Sequence, residues 1–338
     1  MSALQITWFF ILSFLIVGYA LLDGYDLGVG CWYPFARTQE HRRALISAIA
    51  PFWDGNEVWL ITAGGVSFAA FPPVYATVFS SFYFALMLVL VALILRDVSI
   101  EFGSREQSPT AQALWGVGFA TGSILTALLL GVAFGNLLRG LPLNANGDYT
   151  GTFLTLLNPF ALLIGVLNLA MLAMYGALFL RLKTEGELEA QVKGWAQTGM
   201  LLLFPLALAT IIAAAITQPH LLRNYLAYPV LWVLPALALL AIMLAGVWNM
   251  QDKPRLALLA GSATIVLLLG AAVMALFPTL VPALGHPEWN LTVANSSSSP
   301  YALTVMLIIT SIGMPLVLLY TIFIHRIFGG KVKEALHY

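Results

Sequence analysis

The sequence predicts an all-α integral membrane protein of about nine transmembrane helices packed in bundles. Three observations predict it. First, 60% of the 338 residues are hydrophobic and only 9% are charged, against about 25% charged in a soluble domain. A larger core does not explain this deficit, because a soluble surface would still need solvating, so lipid must cover much of the molecule. Second, apolar runs of roughly 20 residues, the length that crosses a bilayer core, recur along the whole chain. Third, the basic residues between these runs segregate. Thirteen of the 15 lysines and arginines fall on one side when the runs alternate in direction. By the positive-inside rule that side is the cytoplasm.

The spans follow in order. The first covers 6–32, and because no Lys or Arg precedes Arg37, it lacks the basic start of a signal peptide and reads as a retained helix. The loop after it holds Arg37, Arg42 and Arg43. The second, 51–71, is needed for the alternation although its apolar part, 58–71, is too short to span alone. It ends where Pro72-Pro73 turns the chain into the third span, 73–95, which is followed by Arg96 and Arg105. The fourth and fifth are 114–138 and 159–180, the latter followed by Arg181, Lys183 and Lys193. The sixth and seventh are 196–217 and 229–249, followed by Lys253 and Arg255. The eighth and ninth are 256–277 and 302–327, with Arg326, Lys331 and Lys333 at the tail. Only Arg139 and Arg223 lie on the other side. The N-terminus is therefore expected outside and the C-terminus in the cytoplasm. Loops are short, the longest being 278–301 with Trp289 and the serine run 296–299. No soluble domain, nucleotide-binding loop or convincing internal repeat is visible, so 1–338 reads as one polytopic unit, its polar region at about 18–102. Cys31 is alone, which excludes an intrachain disulfide. The zero net charge gives no sign of nucleic-acid binding.

The informative residues are the charges inside the spans. The first carries Asp23-Gly24-Tyr25-Asp26, and the second opens with Trp53-Asp54-Gly55-Asn56-Glu57. Each acid pair is spaced i,i+3, about 60° apart on one helix face. Counting back from Phe71 at 1.5 Å per residue puts Asp54 about one turn and Glu57 about two turns inside the membrane. Asp23 and Asp26 fall in the inner third of the first span. Arg96, ending the third span at the same edge, is the expected counter-charge, since consecutive helices with short connections are usually neighbours. Ionisable groups at such depth face a bundle interior or a water-filled cavity. Burial and a neighbouring arginine act on a carboxyl group in opposite directions, and paired acids can share a proton. These are the properties of a proton relay. The structural alternative is that Asp54 caps its helix and Asp23 pairs with Arg96 only to fix packing.

Histidines point the other way. His41, His220, His286, His325 and His337 all avoid the middle of a span. A haem needs an axial His, Met or Cys, and span methionines such as Met87 and Met171 read as packing. The chain is thus expected to ligate no haem iron and no other metal itself. Gly24, Gly28, Gly30 and Gly64-Gly65 permit close helix contact. Trp53, Trp59, Trp248 and Trp289 fall where an aromatic belt would lie.

These motifs resemble subunit II of the cytochrome bd-type quinol oxidases, including the cyanide-insensitive branch. The matching segments are Asp23-Gly24-Tyr25-Asp26-Leu27-Gly28-Val29-Gly30, the stretch from Ala50 to Leu60 around Trp53, Asp54 and Asn56, Gly131-Val132-Ala133-Phe134-Gly135-Asn136, and the stretch from Leu303 to His325, which contains Gly313-Met314-Pro315 and runs on through Tyr320. The resemblance extends over nearly the whole chain, the later helices matching mainly in hydropathy. It implies a multi-pass protein of the bacterial cytoplasmic (inner) membrane, part of an aerobic respiratory enzyme that oxidises quinol and reduces dioxygen to water. It implies a heterodimer in which subunit I ligates the b-type haems and haem d, and in which this chain is not catalytic alone. It admits a small accessory membrane subunit, and a quinone or lipid within this subunit. The family's acids fall on Asp26 and Asp54 and its arginine on Arg96, with Asp23 and Glu57 beside them. Some relatives have Gln where this sequence has Glu57. A proton-coupled secondary transporter is the alternative reading, and a pure scaffold is a third.

Overall fold

The computed structural model describes residues 1–103 and 105–332. Lys333 and His337, used above, lie outside the described residues. The chain is almost entirely helical. Helix α1 (Ala3–Trp32) starts on a capping box between Ser2 and Gln5. Helix α2 (Gln39–Ile49) is short, capped by Thr38, and carries Arg42 and Arg43. Helix α3 (Trp53–Ala70) then runs back along α1. Helices α4 (Pro72–Ser81), α5 (Tyr83–Gly103), α6 (Pro109–Arg139) and α7 (Pro159–Lys183) follow. Next come α8 (Gly186–Thr217), α9 (Arg223–Ala227), α10 (Val233–Met250) and α11 (Pro254–Leu276). A two-stranded antiparallel sheet, β1 (Thr279–Val281) with β2 (Leu291–Thr292), precedes α12 (Val293–Ser296) and α13 (Pro300–Ile327). Proline opens α4, α6, α7, α11 and α13, where its missing N–H costs no helical hydrogen bond.

Among the described residues, eight helices are long and apolar enough to cross a membrane. The expected second span corresponds to α3. Its 18 residues reach about 27 Å, but it is too polar to count with the eight. The expected third span is corrected. Residues 72–81 form a separate helix at the far rim, where Thr77 Oγ1 donates to the Gly147 carbonyl at 2.9 Å. The membrane helix begins only at Tyr83 and continues to Gly103. Arg96 therefore sits about two turns inside α5 rather than at its end.

Small residues set the helix spacing around α1, which packs on α3, α6 and α7. A Cβ at Gly28 would come within 2.0 Å of the Leu172 carbonyl, and one at Gly176 within 2.4 Å of the Gly28 backbone. At Gly24 it would meet Leu172 and at Gly30 Ser123. Gly122 of α6 similarly admits Ala92 and Arg96 of α5. Gly64 and Gly65, expected at a helix contact, have nothing within 4 Å. Trp59, expected in an aromatic belt, is only 5% exposed and packs onto Gly18. The Gly131–Asn136 motif is structural: Gly131 and Gly135 sit against α7, and Asn136 bonds Leu156 O and accepts from Asn158.

Helix α13 stands apart. Its only buried residue is Leu303, and its apolar side chains are widely exposed. Two polar ties hold it to α1: Trp8 Nε1 donates to Leu303 O at 3.0 Å, and Tyr25 OH lies 3.1 Å from His325 Nε2.

Candidate functional site

The site is built where α1, α3 and α5 meet. The three helices bring Asp23, Asp26, Asn56, Glu57 and Arg96 together near the end of the molecule that carries most of the basic residues. Asp23, Asp26 and Arg96 are all 0% exposed. Arg96 holds Asp23 as a fork, with Nη2 donating to Oδ1 at 2.6 Å and Nη1 to Oδ2 at 3.1 Å. Its Nη1 also lies 3.0 Å from Glu57 Oε1, an ion-pair contact without hydrogen-bond alignment. The expected counter-charge role of Arg96 is thus present, and it serves two acids at once. A bidentate arginine pair is directional and strong at low dielectric.

Asp26 is one turn from Asp23 but has a different environment. Its Oδ2 accepts from Asn56 Nδ2 at 2.7 Å, and its buried Oδ1 has no hydrogen-bond partner. The same Asn56 nitrogen lies 2.8 Å from Tyr25 OH and 3.1 Å from Leu22 O. His325 extends this network. Its Nδ1 faces the Thr321 carbonyl at 2.8 Å, so Nδ1 carries a proton, and Tyr25 OH meets Nε2. Phe52 lies against the imidazole.

Asp54 is placed apart from this cluster. It stands in the first turn of α3 on the exposed side, with no ion pair among the described residues. It does not cap the helix, whose N-cap residue Phe52 makes no side-chain cap bond. Glu57 is the half-buried link, its side chain 20% exposed. Of the supporting residues, Gly24 and Gly28 fix α1 on α7, Asn56 contacts Asp26 directly, and Trp53 packs on the core.

Sequence reasoning missed three members. Asp97 lies beside Glu57 and has a buried oxygen without a donor. Tyr25 and His325 join across 300 residues. Adjacency to Arg96 would have flagged Asp97, and Tyr25 stands inside the motif. No local signal marks His325. Four carboxyl groups therefore surround one arginine. Such an arrangement can hold, share and pass protons, because carboxyl groups beside one another can bind one proton between them.

Among the described residues no group of three or more His, Cys, Asp or Glu has metal-site geometry. The described histidines lie at helix ends or in loops. His220 faces Leu138 O, His286 faces Glu288, and both nitrogens of His325 are engaged. Met171 and Met174 are packed in the core. His220, His286 and His325 thus have partners other than an iron.

The comparisons with known proteins agree with one another. The family model described as cytochrome bd terminal oxidase subunit II matches residues 4–328. The chain is 36% identical to cytochrome bd-I ubiquinol oxidase subunit 2 of Escherichia coli, over 98% of this chain and 96% of that one. It is 34% identical to cytochrome bd ubiquinol oxidase subunit 2 of Bacillus subtilis over 100% of both chains. The solved bd oxidase of Geobacillus thermodenitrificans shares the fold with a TM-score of 0.79 at 16% identity, over 97% of this chain and 99% of that one.

Proposed function

We propose that this chain, which belongs to the cytochrome bd terminal oxidase subunit II family, delivers protons through its Arg96-centred carboxyl cluster to a partner subunit that reduces dioxygen. Family membership makes the chain a multi-pass inner-membrane subunit of a quinol oxidase, and it does not favour the transporter reading. The observation that carries the proton reading is the gradation of burial. Exposed Asp54 stands at the start of α3, half-buried Glu57 follows it and meets Arg96, and fully buried Asp23 shares that cation one turn from fully buried Asp26. A proton entering at Asp54 is passed to Glu57, which shares Arg96 with Asp23. Asp26 receives it on the carboxyl oxygen that has no other partner.

The partner is the haem-ligating subunit I, a reading supported by the engagement of His220, His286 and His325 of this chain with groups of its own. When bound there, the b-type haems and haem d supply electron transfer from quinol to dioxygen. The docking face is that of α3 and α13. A carboxyl group in the first turn of a membrane-crossing helix faces lipid only at a cost, yet Asp54 is exposed here, and Gly64 and Gly65 further along the same helix are open as well. A covering subunit removes that cost and receives the proton at the same face. The basic-rich end is the cytoplasmic one, so uptake is from the cytoplasm. A quinone or lipid within this subunit, and a small accessory subunit, belong to the same reading.

The test is turnover in the assembled oxidase. Glu57→Gln keeps the shape and a contact to Arg96 but cannot carry a proton. Oxygen consumption is expected to fall by at least about tenfold with the haem spectrum unchanged, and Asp54→Asn is expected to slow it as well. Normal turnover in Glu57→Gln with full assembly would overturn the reading and leave a scaffold.

A further inference from the structure

A second polar region lies at the same end of the molecule, away from the carboxyl cluster. It is formed by the C-terminal end of α7, the first turns of α8, the α10–α11 turn and the segment after α13. There, a cavity of about 500 Å³ is lined by Arg181, Glu189, Lys253, Arg255, Lys331 and the backbone of Gly329-Gly330, among others.

Its charge is unbalanced. Arg181 is 2% exposed and is held by Asp252 at 3.0 Å, Glu189 at 3.3 Å and Asn249 at 3.4 Å. Its buried Nε has no partner. Asp252 is already committed to Lys193 at 2.5 Å and to Arg181. Those two cations hold its carboxyl below the usual carboxylate range, Lys193 first. Lys331 meets Glu185 only at 3.8 Å. Among the described residues Lys253 and Arg255 have no acidic partner. The backbone adds to this field. Helix α11 starts at Pro254, its cap residue Lys253 makes no side-chain cap bond, and its first turn lines the cavity. The first-turn amides of Arg255 and Leu256 therefore face it without a capping side chain, at the positive end of a 23-residue helix dipole.

We propose that this cavity binds a phosphate group, of the class carried by an anionic phospholipid headgroup or by inorganic phosphate. Three features select phosphate over a carboxylate or a bare halide. Two unpaired flexible cations, the loosely held Lys331 and uncapped helix amides offer donors from several directions, as a tetrahedral group with several oxygens requires. The site lies at the ends of four apolar helices, where the phosphates of the basic-side leaflet are at hand. Nothing in it involves Arg96 or the acids around it, so the inference is independent of the proton reading.

The test uses the intact oxidase purified through this chain. Native mass spectrometry counts phosphatidylglycerol retained during titration against phosphatidylcholine, with inorganic phosphate as competitor. The variant is Lys253→Gln with Arg255→Gln. Both residues are exposed, so folding is not at stake. Retention is expected to weaken about thirtyfold, from roughly 1 kcal/mol per cation near a membrane surface. Insensitivity of the retained lipid to inorganic phosphate assigns the site to the headgroup, and displacement by it assigns the site to free phosphate. A control variant, Arg37→Gln with Arg43→Gln, removes the same charge from exposed positions before and within α2. Equal retention by wild type and the Lys253/Arg255 variant, or an equal loss in the control, would overturn the proposal.

Discussion

Replacement of Arg96 by Met is expected to abolish accumulation of the folded subunit. Asp23 and Arg96 are both 0% exposed and joined by two hydrogen bonds. Removing the cation leaves Asp23 buried without a counter-charge and Glu57 without its ion pair. Breaking a buried pair in this way costs about 3–5 kcal/mol, a large part of the total stability of a domain. Arg96→Lys is expected to be intermediate, because an ammonium cannot reproduce the fork. Replacing the pair together, Arg96→Met with Asp23→Leu, removes both desolvation costs and is expected to restore much of the assembly. Haem absorbance of the purified complex measures assembly, and oxygen consumption measures function. If the double variant assembles and turns over normally, the buried pair serves packing alone. If Arg96→Met accumulates like wild type, the electrostatic account of the cluster is wrong.

Gly28→Val is expected to have a comparable effect through packing. Its added Cβ would stand 2.0 Å from the Leu172 carbonyl and 2.8 Å from Gly176. Both obstacles are backbone, so no rotamer change relieves the clash. Helix α1 must move off α7, and it carries Asp23, Tyr25 and Asp26 with it. Overpacking of a rigid core costs about 1–3 kcal/mol, occasionally more, and the thermal midpoint of the purified complex is expected to fall by several degrees. Gly194→Ala is the control. It lies in helix α8 with open space around it, and alanine favours the helix, so the midpoint should hold or rise. An unchanged midpoint for Gly28→Val would show that α1 and α7 are not locked together there.

Much of this architecture was legible in the sequence because apolar length and charge segregation act over whole helices. Eight of the nine expected spans correspond to helices α1, α3, α6, α7, α8, α10, α11 and α13. The failure is local and has a cause. Hydropathy does not register the break at Phe82, because Phe is itself apolar, and α4 is fixed at the rim by Thr77 bonding to the loop at Gly147 and by Val74 packing in the core. The misplaced helix start then put Arg96 at the membrane edge.

At the site, the pairing of Asp23 with Arg96 was legible from depth alone. The exposure of each acid was not. Spacing of i,i+3 puts Asp54 and Glu57 near one face, but it does not say how α3 is rotated about its axis. That rotation is set by Asn56 and Trp59 packing on α1, and it turns Glu57 to Arg96 and Asp54 outward. His325 was beyond reach for a different reason: only the assembled tertiary structure brings it to Tyr25.

The Asp23–Arg96 fork also has a consequence for biosynthesis. The partners are 73 residues apart, and at about 5–20 residues per second of translation the interval is roughly 4–15 seconds. During it, the first helix leaves the ribosome carrying Asp23, whose ion-pair partner among the described residues has not yet been made. Its entry into the bilayer thus relies on the uncharged stretch before Asp23. The charged segment settles once the arginine emerges, so the order of synthesis makes α5 the element that completes the insertion of α1.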